Sequence, residues 1–191
     1  MYKLLAAFMI LAFSSVSFAE FAGSEHDFSN TSWSSGDSCE VCHNGCMTYY
    51  GDGVDGAPFW NHEVTTATFT LYSSSTLDAV VEQPEGLSKL CLSCHDGTVA
   101  LDSYGGATGS TYITGSALVG TDLSNDHPVY FVYDSDLATV DGGLHDPSTA
   151  PSGLGGTIQE DLLYNDRLVC ASCHNVHGMY DQPNCVICHD M

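Results

Sequence analysis

The chain has almost no positive charge. Its 191 residues include three basic side chains, Lys3, Lys89 and Arg167, against 24 Asp and Glu. Such a surface repels phosphate backbones and anionic lipid, so nucleic acid and anionic membranes are excluded as natural partners. Long apolar runs are equally scarce. Beyond Leu4 to Phe13 no stretch approaches the length that a spanning helix needs, so no membrane span is expected. Low complexity is absent too: 43% hydrophobic residues, with ten Tyr and eight Phe, argue for a packed protein despite the acidity.

Residues 1–19 carry Lys3, the short apolar run and the small-residue ending Ser17-Phe18-Ala19, the layout of a secretory signal peptide. The mature chain is then expected to begin near Glu20, with 20–191 as a single domain. It is expected to leave by way of the periplasm and act as a secreted, extracellular or cell-surface protein. Without Lys3 its net charge is 2 − 24 = −22 with His neutral.

Cysteine and histidine are what the sequence has in quantity, nine of each. Nine cysteines in an exported chain suggest a disulfide framework, but their spacing says otherwise. Eight fall in four C-x-x-C-H motifs: Cys39, Cys42 and His43; Cys91, Cys94 and His95; Cys170, Cys173 and His174; Cys185, Cys188 and His189. At this composition one such motif arises by chance in about one chain in fifty, so four require a cause. The pattern is that of covalent haem: two thiols about one turn apart form thioethers to the haem vinyl groups, and the adjacent histidine supplies one axial nitrogen. A zinc site wants paired C-x-x-C knuckles and leaves unexplained why a histidine follows every second cysteine. A thioredoxin-like dithiol wants a βαβ context that no pair has. Four covalently bound haem c groups are therefore expected.

Five histidines remain, His26, His62, His127, His145 and His177, enough to close the sixth position of every iron. An iron with two histidine ligands passes electrons, whereas an enzyme keeps a position open. An electron-transfer protein is expected, not an enzyme. His177 follows His174 too closely to reach the other face of the same iron, so it should serve a neighbouring haem or stand on the surface. His62 lies between Trp60 and the alternating stretch Ala67, Phe69, Leu71, which reads as a short strand; it is a ligand or a satisfied core histidine, ligation being preferred. His127 precedes Pro128 and should project from extended backbone. His145 sits in a Gly- and Pro-rich loop and reads as a solvated spare. His26 falls near the expected mature terminus, where it either folds back within the chain or swaps onto a haem of the next protomer. Repeated head to tail, a swap gives a filament.

With 191 − 19 = 172 mature residues, about 43 per haem, the haems must themselves form the core. The expected fold class is mostly irregular coil with short helices and few short strands, a multihaem cytochrome c wrapped around a chain of four haems. Helices are expected around Ser88 to His95 and after the capping-box pattern Thr157 to Glu160, before Leu162 and Leu163. Lys89 and Arg167, each just before a haem motif, offset haem propionates or stand as solvated cations. Cys46 is the leftover thiol, read as buried and inert by default, with an intermolecular disulfide as the alternative. Asn30 heads a glycosylation sequon by pattern alone.

The segments "HDFS", "PFWNHEVTTATFTLYSSSTLD", "CLSCHDGTVALDS", "LSNDHPVYFVYD" and "CASCHNVHG" resemble the multihaem outer-surface cytochromes of metal-respiring bacteria that polymerise into conducting filaments, particularly their tetrahaem type. The resemblance implies a mostly coil protomer around a continuous chain of bis-histidine haems, with one distal histidine donated across each subunit junction. It implies His26, His62, His127 and His177 as the distal set, His26 being the one given to a haem of the adjacent protomer in a head-to-tail homopolymer. Other electron-transfer cytochromes and extracellular acceptors are the remaining partners expected. The competing readings are a soluble periplasmic tetrahaem shuttle, monomeric with His26 kept within its own chain, and a haem reductase, which would need an open iron that the histidine surplus does not suggest.

Overall fold

The computed structural model describes residues 21–43, 60–177 and 185–190. The expected signal peptide and Cys46 lie outside these ranges. Among the described residues the chain is mostly coil, crossed by short helices and one small two-stranded sheet. No helix among them is long and apolar enough to cross a membrane.

Helix α1, Gly86–His95, carries the second C-x-x-C-H motif in its last turn and starts two residues before the expected Ser88. Its inward face presents Leu92, which packs with Phe69 and Leu123 in a small apolar cluster flanked by Ala67 and Leu71. The Ala67, Phe69, Leu71 alternation is real, with Thr66, Thr68 and Thr70 exposed between them. The segment is extended but is not a ladder strand. Its central pairing comes from a side chain: the Phe69 N–H donates to Gln83 Oε1 and Gln83 Nε2 donates back to the Phe69 carbonyl, both at 2.9 Å. Gln83 thus imitates a partner strand for one residue, which satisfies the backbone without a sheet.

Helix α2, Ser135–Asp141, is opened by Asp134, whose side chain accepts from the Leu137 N–H, and closed by Gly142 at φ +70°. That left-handed position is one that glycine adopts without strain. Helix α3, Ile158–Leu162, has the expected reciprocal cap: Glu160 N–H donates to Thr157 Oγ1 at 3.2 Å and Thr157 N–H donates to Glu160 Oε2 at 2.9 Å. Strands β1, Phe131–Val132, and β2, Arg167–Leu168, pair antiparallel, with Phe131 opposite Leu168. A tight turn feeds β2. Asn165 and Asp166 both take positive φ, 52° and 58°, while Tyr164 and Arg167 exchange backbone hydrogen bonds at 3.0 and 3.1 Å. Two successive left-handed residues match the twist of a two-residue hairpin, and Asn and Asp tolerate them best after glycine.

These elements enclose the main apolar cluster: Phe131, Tyr133, Ala138, Ile158, Leu162, Leu163 and Leu168, with Ile187 and Cys188 packed against it. Ile158, fully buried, sits at its centre. Neither cluster is large, so the four motifs are held by two small cores and a web of side-chain to backbone bonds. Ile158→Ala is expected to cost about 2–5 kcal/mol by leaving a cavity. Chemical denaturation of the protein and of the variant checks this.

Candidate functional site

Three of the motifs fold into the same turn. The carbonyl of the first cysteine accepts from the N–H of the second cysteine and from that of the histidine: 3.2 and 2.8 Å at Cys39, 3.1 and 3.0 Å at Cys170, 3.2 and 2.9 Å at Cys185. The second motif reaches the same one-turn compactness at the end of α1. One turn brings the two thiols of a motif to a common side beside the histidine, the arrangement that tethering by two thioethers requires. None of the eight motif cysteines forms a disulfide. Burial raises the Cys42 and Cys188 thiols to about 11 and Cys94 to about 12, so these three stay protonated at neutral pH.

The motif histidines meet partners from distant parts of the chain. His43 lies stacked with His177, ring centroids 6.0 Å apart and planes at 22°. His95 faces His26 at 6.0 Å and 49°, and His189 faces His127 at 6.3 Å and 75°. A ligating imidazole nitrogen stands about 2 Å from its metal and about 1.1 Å from its own ring centre, so two imidazoles on opposite faces of one iron hold centroids about 6 Å apart. All three pairs match that spacing. Two of these six rings are also fixed in tautomer. His95 Nδ1 lies 2.8 Å from the Ala117 carbonyl and His127 Nδ1 lies 2.9 Å from the Pro128 carbonyl. A carbonyl only accepts, so Nδ1 carries the proton and Nε2 keeps the lone pair that a metal takes.

The residues present are compatible with haem. Among the described residues no three Cys, His, Asp or Glu side chains converge on one point, as a tetrahedral ion demands. A bis-histidine iron asks the protein for only two, because the porphyrin supplies the other four nitrogens.

The remaining histidines behave differently. His62 is buried, 4% exposed, with Nδ1 2.8 Å from the Glu63 carbonyl, Nε2 3.0 Å from the Ala100 carbonyl and 3.6 Å from Cys94 Sγ. It has the surroundings of a core histidine and faces the second motif's sulfur instead of a second imidazole. His174 is exposed, and it joins none of the imidazole pairs described above. His145 is half-buried, and its backbone ties the fourth motif: its N–H donates to the Cys188 carbonyl at 2.9 Å, while its own carbonyl accepts from Tyr133 Oη at 2.6 Å.

The four motifs also touch in sequence. Asn61 holds the first motif, donating from N–H to the Cys42 carbonyl at 3.0 Å and from Nδ2 to the Glu40 carbonyl at 2.6 Å, and the next residue, His62, reaches Cys94. Helix α1 packs on the turn at Cys170–Ser172, where the Cys170 N–H donates to the buried Ser88 Oγ at 3.2 Å. Cys91 donates a hydrogen bond to the Cys170 sulfur, which raises the Cys91 thiol and lowers Cys170. Strand β2 leads from the hairpin into the third motif, and Tyr133 reaches from β1's end to the Cys188 carbonyl at 3.3 Å. A buried second-motif network, Asp96 accepting from Thr65 Oγ1 at 2.6 Å and Thr98 N–H at 2.7 Å, fastens the His62 segment to α1.

The two cations are spent on carboxylates of the chain. Lys89 Nζ lies 3.1 Å from both oxygens of Glu85, one helical turn away, and Arg167 pairs with Glu82 at 2.5 Å while its guanidinium stands 4.8 Å over the Tyr130 ring. With so many carboxylates per cation, each finds one locally.

Sequence reasoning named every histidine of the three pairs but not which pairs form. It assigned no role to Trp60, Asn61, Ser88 or Tyr133, whose positions beside the motifs only the fold reveals. The chain matches no known family model and no curated protein sequence.

If the His127 and His189 pair holds an iron, His127→Ala is expected to convert one low-spin iron to high-spin, and His145→Ala to leave the spin states unchanged. Electron paramagnetic resonance of the oxidised proteins reads this directly.

Proposed function

We propose that the chain is an electron-transfer protein carrying four covalently bound haem c groups, one on each C-x-x-C-H motif. The observation that carries the reading is the set of three imidazole pairs between distant parts of the chain at the spacing of two axial ligands. Haem supplies an iron that changes by one electron without gaining or losing a ligand. The chain's own residues do the rest. The paired motif cysteines, Cys39 with Cys42, Cys91 with Cys94, Cys170 with Cys173 and Cys185 with Cys188, would hold each haem through thioethers. The paired imidazoles would hold the iron and close it against small substrates, and the Ala117 and Pro128 carbonyls hold the orientation of the His95 and His127 rings. Contact of each motif with the next through Asn61-His62, Ser88 and Tyr133 supports passage of an electron along the protein.

The finer reading is a secreted cytochrome that polymerises head to tail into a conducting filament feeding extracellular acceptors, and it rests on the resemblance. Within a single chain His26 already has an imidazole to pair with, a contact that both the trans donation and the competing reading use. His26 stands opposite His95 of its own chain, as a monomeric periplasmic shuttle would keep it. Residues 21–33 dock through rings, Phe21 with His177 at 6.2 Å, Phe28 with Trp33 at 5.2 Å and Trp33 with Tyr104 at 6.4 Å, with no backbone ladder. Such an arm can make the same contacts on a neighbour by domain swapping, which leaves the His26 and His95 pair intact but divides it between copies. A net charge of −22 opposes association over about 10 Å at moderate salt, so the ligand bond must outweigh that repulsion.

Negative-stain electron microscopy of the haem-loaded protein and of His26→Ala separates these. Filaments lost in the variant are the polymer's outcome. Discrete particles in both, with one high-spin iron in the variant, are the shuttle's.

A further inference from the structure

On the tetrahaem reading, on which this rests, we propose that the indole N–H of Trp60 is a hydrogen-bond donor to a propionate carboxylate of the haem tethered at Cys39 and Cys42. Trp60 Nε1 is the one buried side-chain polar atom among the described residues without a hydrogen-bond partner. An N–H left in that condition costs about 1–3 kcal/mol, and native proteins rarely leave one so. The position of the orphan is specific. Trp60 forms an antiparallel backbone bridge with His43, and its ring stands 6.5 Å from the His43 ring at 87° and 6.4 Å from the His62 ring at 65°. Asn61 locks that bridge to the first motif through the Cys42 and Glu40 carbonyls. The indole is thus a fixed wall of the site that His43 and His177 bracket.

The acceptor it wants is not offered by the carboxylates beside the first motif. Glu40 accepts from Ser35 Oγ, and Asp37 accepts from the Cys39 N–H at 2.9 Å. The cofactor brings its own acceptors, up to two carboxylates per haem, and this chain is short of cations to meet them. Both basic residues of the described chain are paired with Glu82 and Glu85. A neutral N–H held in a dry site stabilises a carboxylate without requiring a counter-charge, and bonds to charged acceptors are the stronger kind. A haem carboxylate therefore satisfies the orphan donor and relieves the cation shortage at once.

The test compares the haem-loaded protein with Trp60→Phe by intact mass, spectroscopic redox titration and resonance Raman of the propionate bending bands. Both proteins are expected to carry four haems. One of the four potentials should fall in the variant, because a carboxylate deprived of its donor keeps more negative charge and favours ferric iron; each tenfold change in the ferric to ferrous ratio is about 59 mV. One propionate band should shift with it, and the effect should vanish in a background lacking the first haem, Cys39→Ala with Cys42→Ala. Four haems with unchanged potentials and unchanged propionate bands would overturn the assignment and leave an ordered water as the partner. Fewer than four haems in the parent protein would instead overturn the tetrahaem reading. Should Trp60→Phe fail to load, indole-15N-labelled parent protein decides: a slowly exchanging Trp60 proton that shifts as the haem propionate titrates supports the donor role, and fast exchange with solvent contradicts it.

Discussion

The pairing of imidazoles across long stretches of chain is the interaction on which the other features of this protein depend. His43 with His177, His26 with His95 and His127 with His189 join the beginning, middle and end of the chain at three points. The apolar clusters around Ile158 and Phe69 are each too small to do this alone. If each pair closes on an iron, it also becomes a cross-link, and coil that would otherwise be too polar to fold gains fixed ends.

The turn at each motif is the local condition for that pairing. A first-cysteine carbonyl that accepts two successive N–H groups needs no long helix, so the device works in single turns at Cys39, Cys170 and Cys185, while the second motif is compacted by the end of α1. The motifs are then joined by short polar attachments from Asn61, Ser88 and Tyr133. Tyr133 is the most economical of these. Only 1% exposed, it packs in the main cluster and uses its hydroxyl to bind the His145 and Cys188 carbonyls together. Core and candidate site are thereby one structure.

What was legible in the sequence was what depends on near neighbours. The C-x-x-C-H spacing, the Thr157 to Glu160 cap and the helix around Ser88 to His95 are local patterns, and the structure has the cap and the helix. The stretch from Ala67 to Leu71 was legible in its burial but not in its pairing, because the Gln83 side chain, fourteen residues on, pairs Phe69, and the distant Thr121 and Leu123 backbone pairs Thr70. The hairpin at Asn165 and Asp166 and the helix after Asp134 carry weak local signals, and their stability comes from the cluster they close over. His62 shows the limit most clearly. Its sequence context is that of the other candidate ligands, but the fold surrounds it with the Glu63 and Ala100 carbonyls and Cys94 sulfur, a setting fixed by residues far along the chain.

The most direct test of a tetrahaem protein is its thiol and mass balance. The chain has nine cysteines, and the account commits eight of them to thioethers, leaving Cys46. Intact mass of the protein, before and after alkylation under reducing and denaturing conditions, should show four haems bound and one thiol alkylated per chain. A mass without haem and nine alkylated thiols would contradict the account.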